Sequence, residues 1–195
     1  MKTMVVSAFP ACGKTYLYEN QDDLLFSYLG ESIKFTFLDS DSSKYKKHEG
    51  WEKEYVDDLE KKLGTADFLF ICQYPEVLAE LEKRNIPFVV VAPDNSEWIS
   101  IQERRCIKQQ WFGMFVLRDN NHIKDFNKWV SDLKENYDMW TTVEWLTKYN
   151  PVSFFLLKQD EYLSSIIEDL YWKKERYACY TVFKCNDVYF SENWV

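Results

Sequence analysis

The sequence predicts an α/β fold of three layers, in which helices cover both faces of a five-stranded parallel sheet. Short apolar runs, typical of strands buried on both faces, alternate with segments whose apolar residues recur at helical spacing. This alternation indicates parallel β-α-β units with right-handed crossovers. A length of 195 residues fits one domain. We expect that domain over residues 1–176 and a short C-terminal extension over residues 177–195.

The elements follow from these runs in chain order. Five strands are predicted, one beginning at Met4 and the others over residues 32–38, 67–72, 87–92 and 153–157. Helices are predicted to begin near Tyr16 and to cover residues 51–63, 75–84, 120–137 and 162–171. Residues 21–30 have a mixed pattern that fits a short helix or a connector. The C-terminal extension alternates well enough for a hairpin that turns at Asn186-Asp187.

The turn after the first strand has the order of parts of a phosphate-binding loop. An apolar strand leads into a turn that ends Gly13-Lys14-Thr15, and a helix follows. A polyphosphate needs inward backbone N–H groups, clearance for the main chain and a positive charge. Gly13 supplies the clearance, Lys14 the charge on the β- and γ-phosphates, and Thr15 a hydroxyl for Mg²⁺. The predicted nucleotide-binding residues are Pro10, Ala11, Cys12, Gly13, Lys14, Thr15 and Tyr16.

Ala8 departs from the full loop pattern G-x-x-x-x-G-K-[ST], whose first position it occupies. Alanine does not readily take a positive φ, so we expect ordinary backbone angles there. The alternative for the whole motif is a chance Gly-Lys-Thr in a surface turn. The strand before the motif and the helix after it favour the phosphate loop.

Two acidic residues, Asp39 and Asp41, follow the second predicted strand. Ligands of open parallel sheets lie beyond the carboxyl ends of the strands, so these carboxylates are predicted to face the site. We expect Thr15 and Asp39 to hold Mg²⁺. Asp41 is expected to orient or deprotonate the acceptor if that is a hydroxyl, or to help organise the metal if it is a phosphate. The alternative is that the Asp-Ser-Asp-Ser-Ser segment, residues 39–43, is a turn that caps the next helix. Gln73 and Tyr74 follow the third strand, where nucleotide hydrolases often have an acidic residue.

Residues 95–120 form a candidate lid. Phosphoryl transfer needs cations that close over the transferring group, and Arg104, Arg105 and Arg118 are the predicted ones. The alternative is a helix surface on which arginines pair with Glu103.

Composition restricts the partners and the cellular compartment that we expect. A net charge of −8 argues against binding of duplex nucleic acid, whose phosphates require a basic surface. The five cysteines are scattered without a C-x-x-C pair, so zinc and a disulfide framework are not expected. No apolar run approaches the length of a signal peptide or a membrane span, and we expect a cytoplasmic protein without membrane contact. Aromatic residues make up 18% of the chain, and we expect them mainly in the core and its rim.

Four segments together resemble a known family, the small P-loop kinases of the nucleoside monophosphate kinase type, in particular a branch found in phages and prophages of low-GC bacteria. They are residues 7–15, 38–44, 85–93 and 161–164. Shikimate kinase is a more distant resemblance through its Asp-x-Asp after the second strand. The resemblance implies a P-loop NTPase fold with ATP and Mg²⁺ as cofactors and leaves the acceptor open. Our first hypothesis is a phosphotransferase whose acceptor is a small nucleotide-like molecule, above all a nucleoside monophosphate. A nucleotide-binding regulatory or host-interaction protein with little transfer activity is the alternative.

Overall fold

A computed structural model of the chain describes residues 3–28, 30–45, 48–119, 131, 134 and 136–180, without the side chains of residues 28, 115–119 and 173–180. Five strands form one parallel sheet: β1 (Met4–Ala8), β4 (Phe37–Asp39), β5 (Phe68–Ile71), β6 (Phe88–Pro93) and β7 (Ser153–Leu157). Two further strands, β2 (Phe26–Tyr28) and β3 (Glu31–Ile33), form a separate antiparallel hairpin.

The large sheet has the order β4-β5-β1-β6-β7. The first strand lies at its centre, with Val5 opposite Leu69 of β5 and Val6 opposite Val89 of β6. Every residue of β1, β5 and β6 is buried. Because successive side chains of a strand point to opposite faces, both faces of the sheet are covered. The predicted five-stranded parallel sheet is therefore confirmed.

The region before the second parallel strand differs from the prediction. Residues 21–30 contain β2, and the strand predicted over residues 32–38 is divided between the hairpin and the large sheet. Gly30, at a φ of +83°, permits the hairpin turn. Phe26 and Phe35 then pack their rings 5.3 Å apart, and Phe35 also packs on Phe68 of the sheet. Burial of these rings overrides the simple alternation that predicted one long strand.

The helices are α1 (Lys14–Glu19), α2 (Trp51–Lys62), α3 (Pro75–Lys83), α4 (Ile101–Asp119), a short helix Val143–Thr147 and a C-terminal helix Leu163–Tyr180. The predictions for α2 and α3 are confirmed to within one residue. The C-terminal helix continues to Tyr180, four residues into the predicted extension. Residues 181–195, with the predicted Asn186-Asp187 turn, lie outside the described residues. Most of the helix predicted over 120–137 does too, although residues 136–140 are helical.

The membrane prediction has one structural check. Over the part of the chain that is described, no helix is both long and apolar enough to cross a membrane.

Candidate active site

The loop that follows β1 is fastened at both ends. The Phe9 N–H donates to the Val91 carbonyl of β6 at 2.8 Å, and the Leu163 N–H of the C-terminal helix donates to the Cys12 carbonyl at 2.9 Å. Gly13 precedes α1 with a φ of +94°, a conformation that side chains rarely tolerate. The predicted glycine thus occupies a backbone position that requires it.

The non-glycine residue of the loop with a positive φ is Ala11, and Ala8 has ordinary strand angles. Ala8 ends β1 as a buried strand residue, so its ordinary backbone agrees with the expectation. Ala11 has a φ of +64°, in the left-handed region. A non-glycine residue there costs about 1–2 kcal/mol. The loop therefore holds backbone strain one residue away from Cys12 and two from Gly13.

Lys14 folds back over this loop. Its Nζ donates to the Ala8 carbonyl at 2.6 Å and to the Phe9 carbonyl at 3.3 Å. The ammonium charge therefore lies against the main chain of the loop. A phosphate group that enters the loop would meet this charge first.

Thr15 and Asp39 contact each other across the sheet edge. The Thr15 hydroxyl donates to Oδ2 of Asp39 at 2.8 Å, although the residues lie at the start of α1 and the end of β4. Both offer oxygen atoms, the ligands that Mg²⁺ prefers. The predicted metal pair is thus brought together by the fold.

Asp41 forms hydrogen bonds within its own turn. Its carboxylate accepts hydrogen bonds from the Ser43 N–H at 2.8 Å and from the Ser43 hydroxyl at 2.7 Å, at the start of a short 3-10 helix, Ser43–Tyr45. The capping alternative therefore holds in part, since Asp41 caps a short 3-10 helix whereas Asp39 accepts a hydrogen bond from Thr15. Asp41 also borders the cavity described next, so capping and access to a ligand coexist.

A cavity of about 850 Å³ opens beside the loop. Its lining includes six predicted loop and helix residues: Pro10, Ala11, Gly13, Lys14, Thr15 and Tyr16. Asp39 and Asp41 line it as well. Predicted nucleotide-binding residues and both predicted carboxylates therefore share one cavity.

Cys12 is the predicted loop residue that does not line this cavity. Its side chain is fully buried in the core. Burial raises the pKa of the thiol to about 12, against the smaller opposing effect of the Lys14 charge. The residue contributes its backbone carbonyl to the anchoring bond with Leu163 and is protonated at neutral pH.

The predicted arginine lid is a packed helix. Ile107 and Trp111 are buried, so one side of α4 packs against the rest of the protein. Arg104 and Arg105 are described and do not line the cavity, and the side chain of Arg118 lies outside the described residues.

Glu103 forms no ion pair with Arg104 or Arg105, the two of these arginines whose side chains the structure describes, so the alternative is not seen for them. Its carboxylate accepts from the N–H and the hydroxyl of Ser100 at 2.9 and 2.7 Å, while its own N–H donates to that hydroxyl. These bonds form a capping box at the start of α4, and hydrogen bonding from Ser100 lowers the pKa of Glu103.

Several residues of the cavity wall, Gln73, Tyr74 and Trp140 among them, were not predicted as site residues. Gln73 and Tyr74 follow β5, and Trp140 lies in the helical residues 136–140. The position of Gln73 directly after a buried strand was the available signal, and it was interpreted only as a missing acid. No sequence pattern marked Trp140 as a site residue, because its contact with Tyr74, at 5.9 Å between ring centroids, depends on the tertiary fold.

Comparison with protein-family models, with curated proteins and with solved structures gives no match to this chain in any of the three. The functional argument therefore depends on the geometry of the site.

The oxygen atoms at the site fit a magnesium ion that is shared with a phosphate ligand. No group of three or more His, Cys, Asp or Glu side chains within the described ranges could enclose a metal alone. Mg²⁺ in nucleotide sites uses one or two protein oxygens together with phosphate oxygens and water. Thr15 and Asp39 match that requirement.

Proposed function

We propose that this protein is an ATP-dependent phosphotransferase of the nucleoside and nucleotide kinase type, with a P-loop NTPase fold. The observation that carries the proposal is the bond between Thr15 and Asp39, because it joins two metal-binding oxygens from different elements beside Lys14. A chance Gly-Lys-Thr turn gives no reason for a carboxylate from another strand to meet the threonine hydroxyl. The cavity beside this pair has room for a nucleotide and a small acceptor.

The chain's own residues account for binding and charge stabilisation. The loop N–H groups and Lys14 would bind the β- and γ-phosphates, and Lys14 would offset charge that develops on the transferring oxygens. Thr15 and Asp39 would hold Mg²⁺, which would supply positive charge to offset the charge of the phosphates. Asp41, held in place by Ser43, would orient the acceptor or take its proton.

A nucleotide-binding regulator without efficient transfer is the second candidate. Two observations favour it: the carboxylate of Asp41 already accepts two hydrogen bonds, and Arg104 and Arg105 lie away from the cavity. ADP release in the presence of ATP, Mg²⁺ and a panel of acceptors separates the two. Acceptor-dependent ADP supports the kinase, and saturable ATP binding without it supports the regulator.

Lys14→Ala tests the binding site. Loss of a charge-assisted contact of about 1.5–3 kcal/mol should weaken ATP binding roughly 10- to 100-fold, measured by calorimetry. Lys61→Ala, which removes an exposed lysine of α2, is the matched control and should bind ATP like the parent. An unchanged affinity in Lys14→Ala would contradict the loop assignment.

Asp39→Asn tests the metal pair in the same assay. Asparagine keeps an oxygen that can accept from Thr15, so the fold should persist, but the lost charge should raise the Mg²⁺ concentration needed for ATP binding by about tenfold. If the variant only melts earlier and its Mg²⁺ dependence is unchanged, Asp39 has a structural role alone.

A further inference from the structure

One part of the cavity wall contains polar atoms that have no hydrogen-bond partner among the residues that the structure describes. Gln73 is only 2% exposed, and within the described part of the chain neither its amide oxygen nor its amide nitrogen has a hydrogen-bond partner. The indole N–H of Trp140 is also buried without a partner. Both residues line the cavity. An unpaired buried amide costs free energy, so two such groups on one wall indicate a ligand that completes them.

This wall is neutral and rich in flat side chains. Tyr74 follows Gln73 in the chain, and its ring packs edge-on against Trp140. Met114 and Asn136 complete the wall. An amide that donates and accepts, an indole donor and aromatic rings suit a flat heterocycle with both hydrogen-bond donors and acceptors.

The charges of the cavity restrict the ligand further. Of the described lining residues, Lys14 is the single cation, and Glu19, Asp39 and Asp41 are acids. The proposed function assigns Lys14 to the phosphates of ATP. An acceptor with its own phosphate would bring about two negative charges near neutral pH to a place with more carboxylates than cations.

We propose that Gln73 and Trp140 form the recognition site for an uncharged, nucleobase-like part of the phosphoryl acceptor, and that the acceptor is a nucleoside-type alcohol instead of a monophosphate. This inference rests on the phosphotransferase function proposed above. It replaces the nucleoside monophosphate of our first hypothesis. Because these atoms are buried, contact with a ligand requires both the Gln73 amide and the Trp140 indole N–H to turn towards the cavity that the two residues line.

The reaction with such an acceptor balances without another reagent. The hydroxyl oxygen of the acceptor forms a bond to the γ-phosphorus, and the bond from that phosphorus to the bridging oxygen breaks, which releases ADP. The hydroxyl proton passes to the carboxylate of Asp41 and then to water. The product is a phosphate monoester of the acceptor.

The first test compares acceptors. Common ribo- and deoxyribonucleosides and their 5′-monophosphates are each incubated with the full-length protein, ATP and Mg²⁺, and ADP is measured. We expect at least one nucleoside to give a kcat/KM more than tenfold above that of its monophosphate. Equal or better turnover of the monophosphates would overturn the inference.

The second test uses variants that keep the shape of the wall. Gln73→Met removes an amide that has no partner in the free protein, so the melting temperature should be unchanged or higher. Trp140→Phe removes the indole N–H and keeps a ring. Each should raise the KM for the nucleoside about tenfold and change the Kd for ATP less than twofold. Gln109→Met and Trp98→Phe, at exposed positions away from the cavity, are the controls and should keep both constants.

Direct nucleoside binding separates this inference from the proposed function. Calorimetry with the nucleoside alone needs no turnover. If no acceptor yields ADP but a nucleoside binds the parent and binds Gln73→Met at least tenfold more weakly, the transfer function fails and the recognition site stands. If no nucleoside binds the parent protein, or if Gln73→Met and Trp140→Phe bind it as the parent does, the recognition site is refuted.

Discussion

At Ala11 the backbone has a conformation that alanine disfavours, and at Ala8, three residues earlier, the same residue type lies in a buried strand. The same substitution should therefore have opposite effects at the two positions. Ala11→Gly removes the left-handed penalty of about 1–2 kcal/mol and adds freedom to the unfolded chain, so a net gain of up to about 1 kcal/mol is expected. Ala8→Gly should cost about 0.5–1 kcal/mol, because glycine weakens a strand interior.

Thermal or urea unfolding of the parent and the two variants measures this difference. If Ala11→Gly lowers the free energy of unfolding as much as Ala8→Gly does, the backbone strain at Ala11 is not present in solution. ATP affinity, measured beside stability, tells whether the strain also presets the loop for its ligand.

Single residues of the site were predictable where chemistry is tied to a position along a strand. Gly13, Lys14 and Thr15 follow a strand and begin a helix, and Asp39 ends a neighbouring strand, so the parallel sheet alone brings them to one edge. The left-handed backbone at Ala11 was not predictable, because no local pattern marks an alanine for that conformation.

The helix pair α2 and α3 shows how elements that carry no site chemistry support the site. Arg84, just after α3, donates through Nε to Glu80 at 2.8 Å and through its NH1 nitrogen to Asp57 and Glu60 of α2. Next to this network, Tyr55 of α2 donates its hydroxyl to the Ser40 carbonyl at 2.8 Å. Helix α2 therefore holds Ser40, the residue between Asp39 and Asp41, and Arg84 joins α3 to α2.

The Glu80–Arg84 contact gives this helix pair a defined pH dependence. The hydrogen bond from Arg84 is the main reason that the pKa of Glu80 is lower than its ordinary value of 4.5. A lowered folded-state pKa means that the stabilisation is complete above about pH 5 and is lost as the pH falls through the folded-state value.

Glu80→Gln should accordingly lower the melting temperature by roughly 2–4 °C at pH 7, equivalent to about 1 kcal/mol, and the gap to the parent should close below pH 4. Glu97→Gln, at an exposed position outside this helix pair, is the control and should melt within a degree of the parent at pH 7. A gap that stays constant from pH 7 to pH 3 would show that the contact does not depend on the carboxylate charge.

Strands and helices were easiest to predict where packing against the sheet gives their apolar residues a regular spacing. The continuous apolar runs of β5 and β6 allow one interpretation, and the spacing in α2 and α3 is equally clear. The hairpin β2–β3 has strands of three residues each. Its Phe26 ring packs on Phe35 and Phe37, and the Phe35 ring packs in turn on Phe68 and Tyr171, which are distant in sequence. Local periodicity cannot report such contacts.

On the scale of the whole molecule, the phosphate loop joins segments that are far apart in sequence. Phe9 packs its ring edge-on against Trp111 of α4 at 6.1 Å and against Tyr137 at 5.7 Å. Gln110 of α4 accepts from the Asp160 N–H at 2.9 Å, next to the C-terminal helix whose Leu163 is bonded to the loop. Order gained by the loop on ligand binding should therefore reach α4 and the C-terminal helix.

Hydrogen exchange with and without Mg²⁺ and ATP tests this coupling. Binding should slow exchange of the Phe9 and Leu163 amides together by about tenfold or more. The Phe9 amide belongs to the loop that the ligand orders, and the Leu163 amide donates to the Cys12 carbonyl of that loop. The Arg84 amide, bonded to Glu80 in the remote helix pair, should change much less if it exchanges by local opening. Lys14→Ala with the same ligand should show no slowing at either site. Protection at Phe9 without any at Leu163 would mean that the C-terminal helix is not coupled to the loop, and equal protection at all three amides would indicate global stabilisation instead of local ordering.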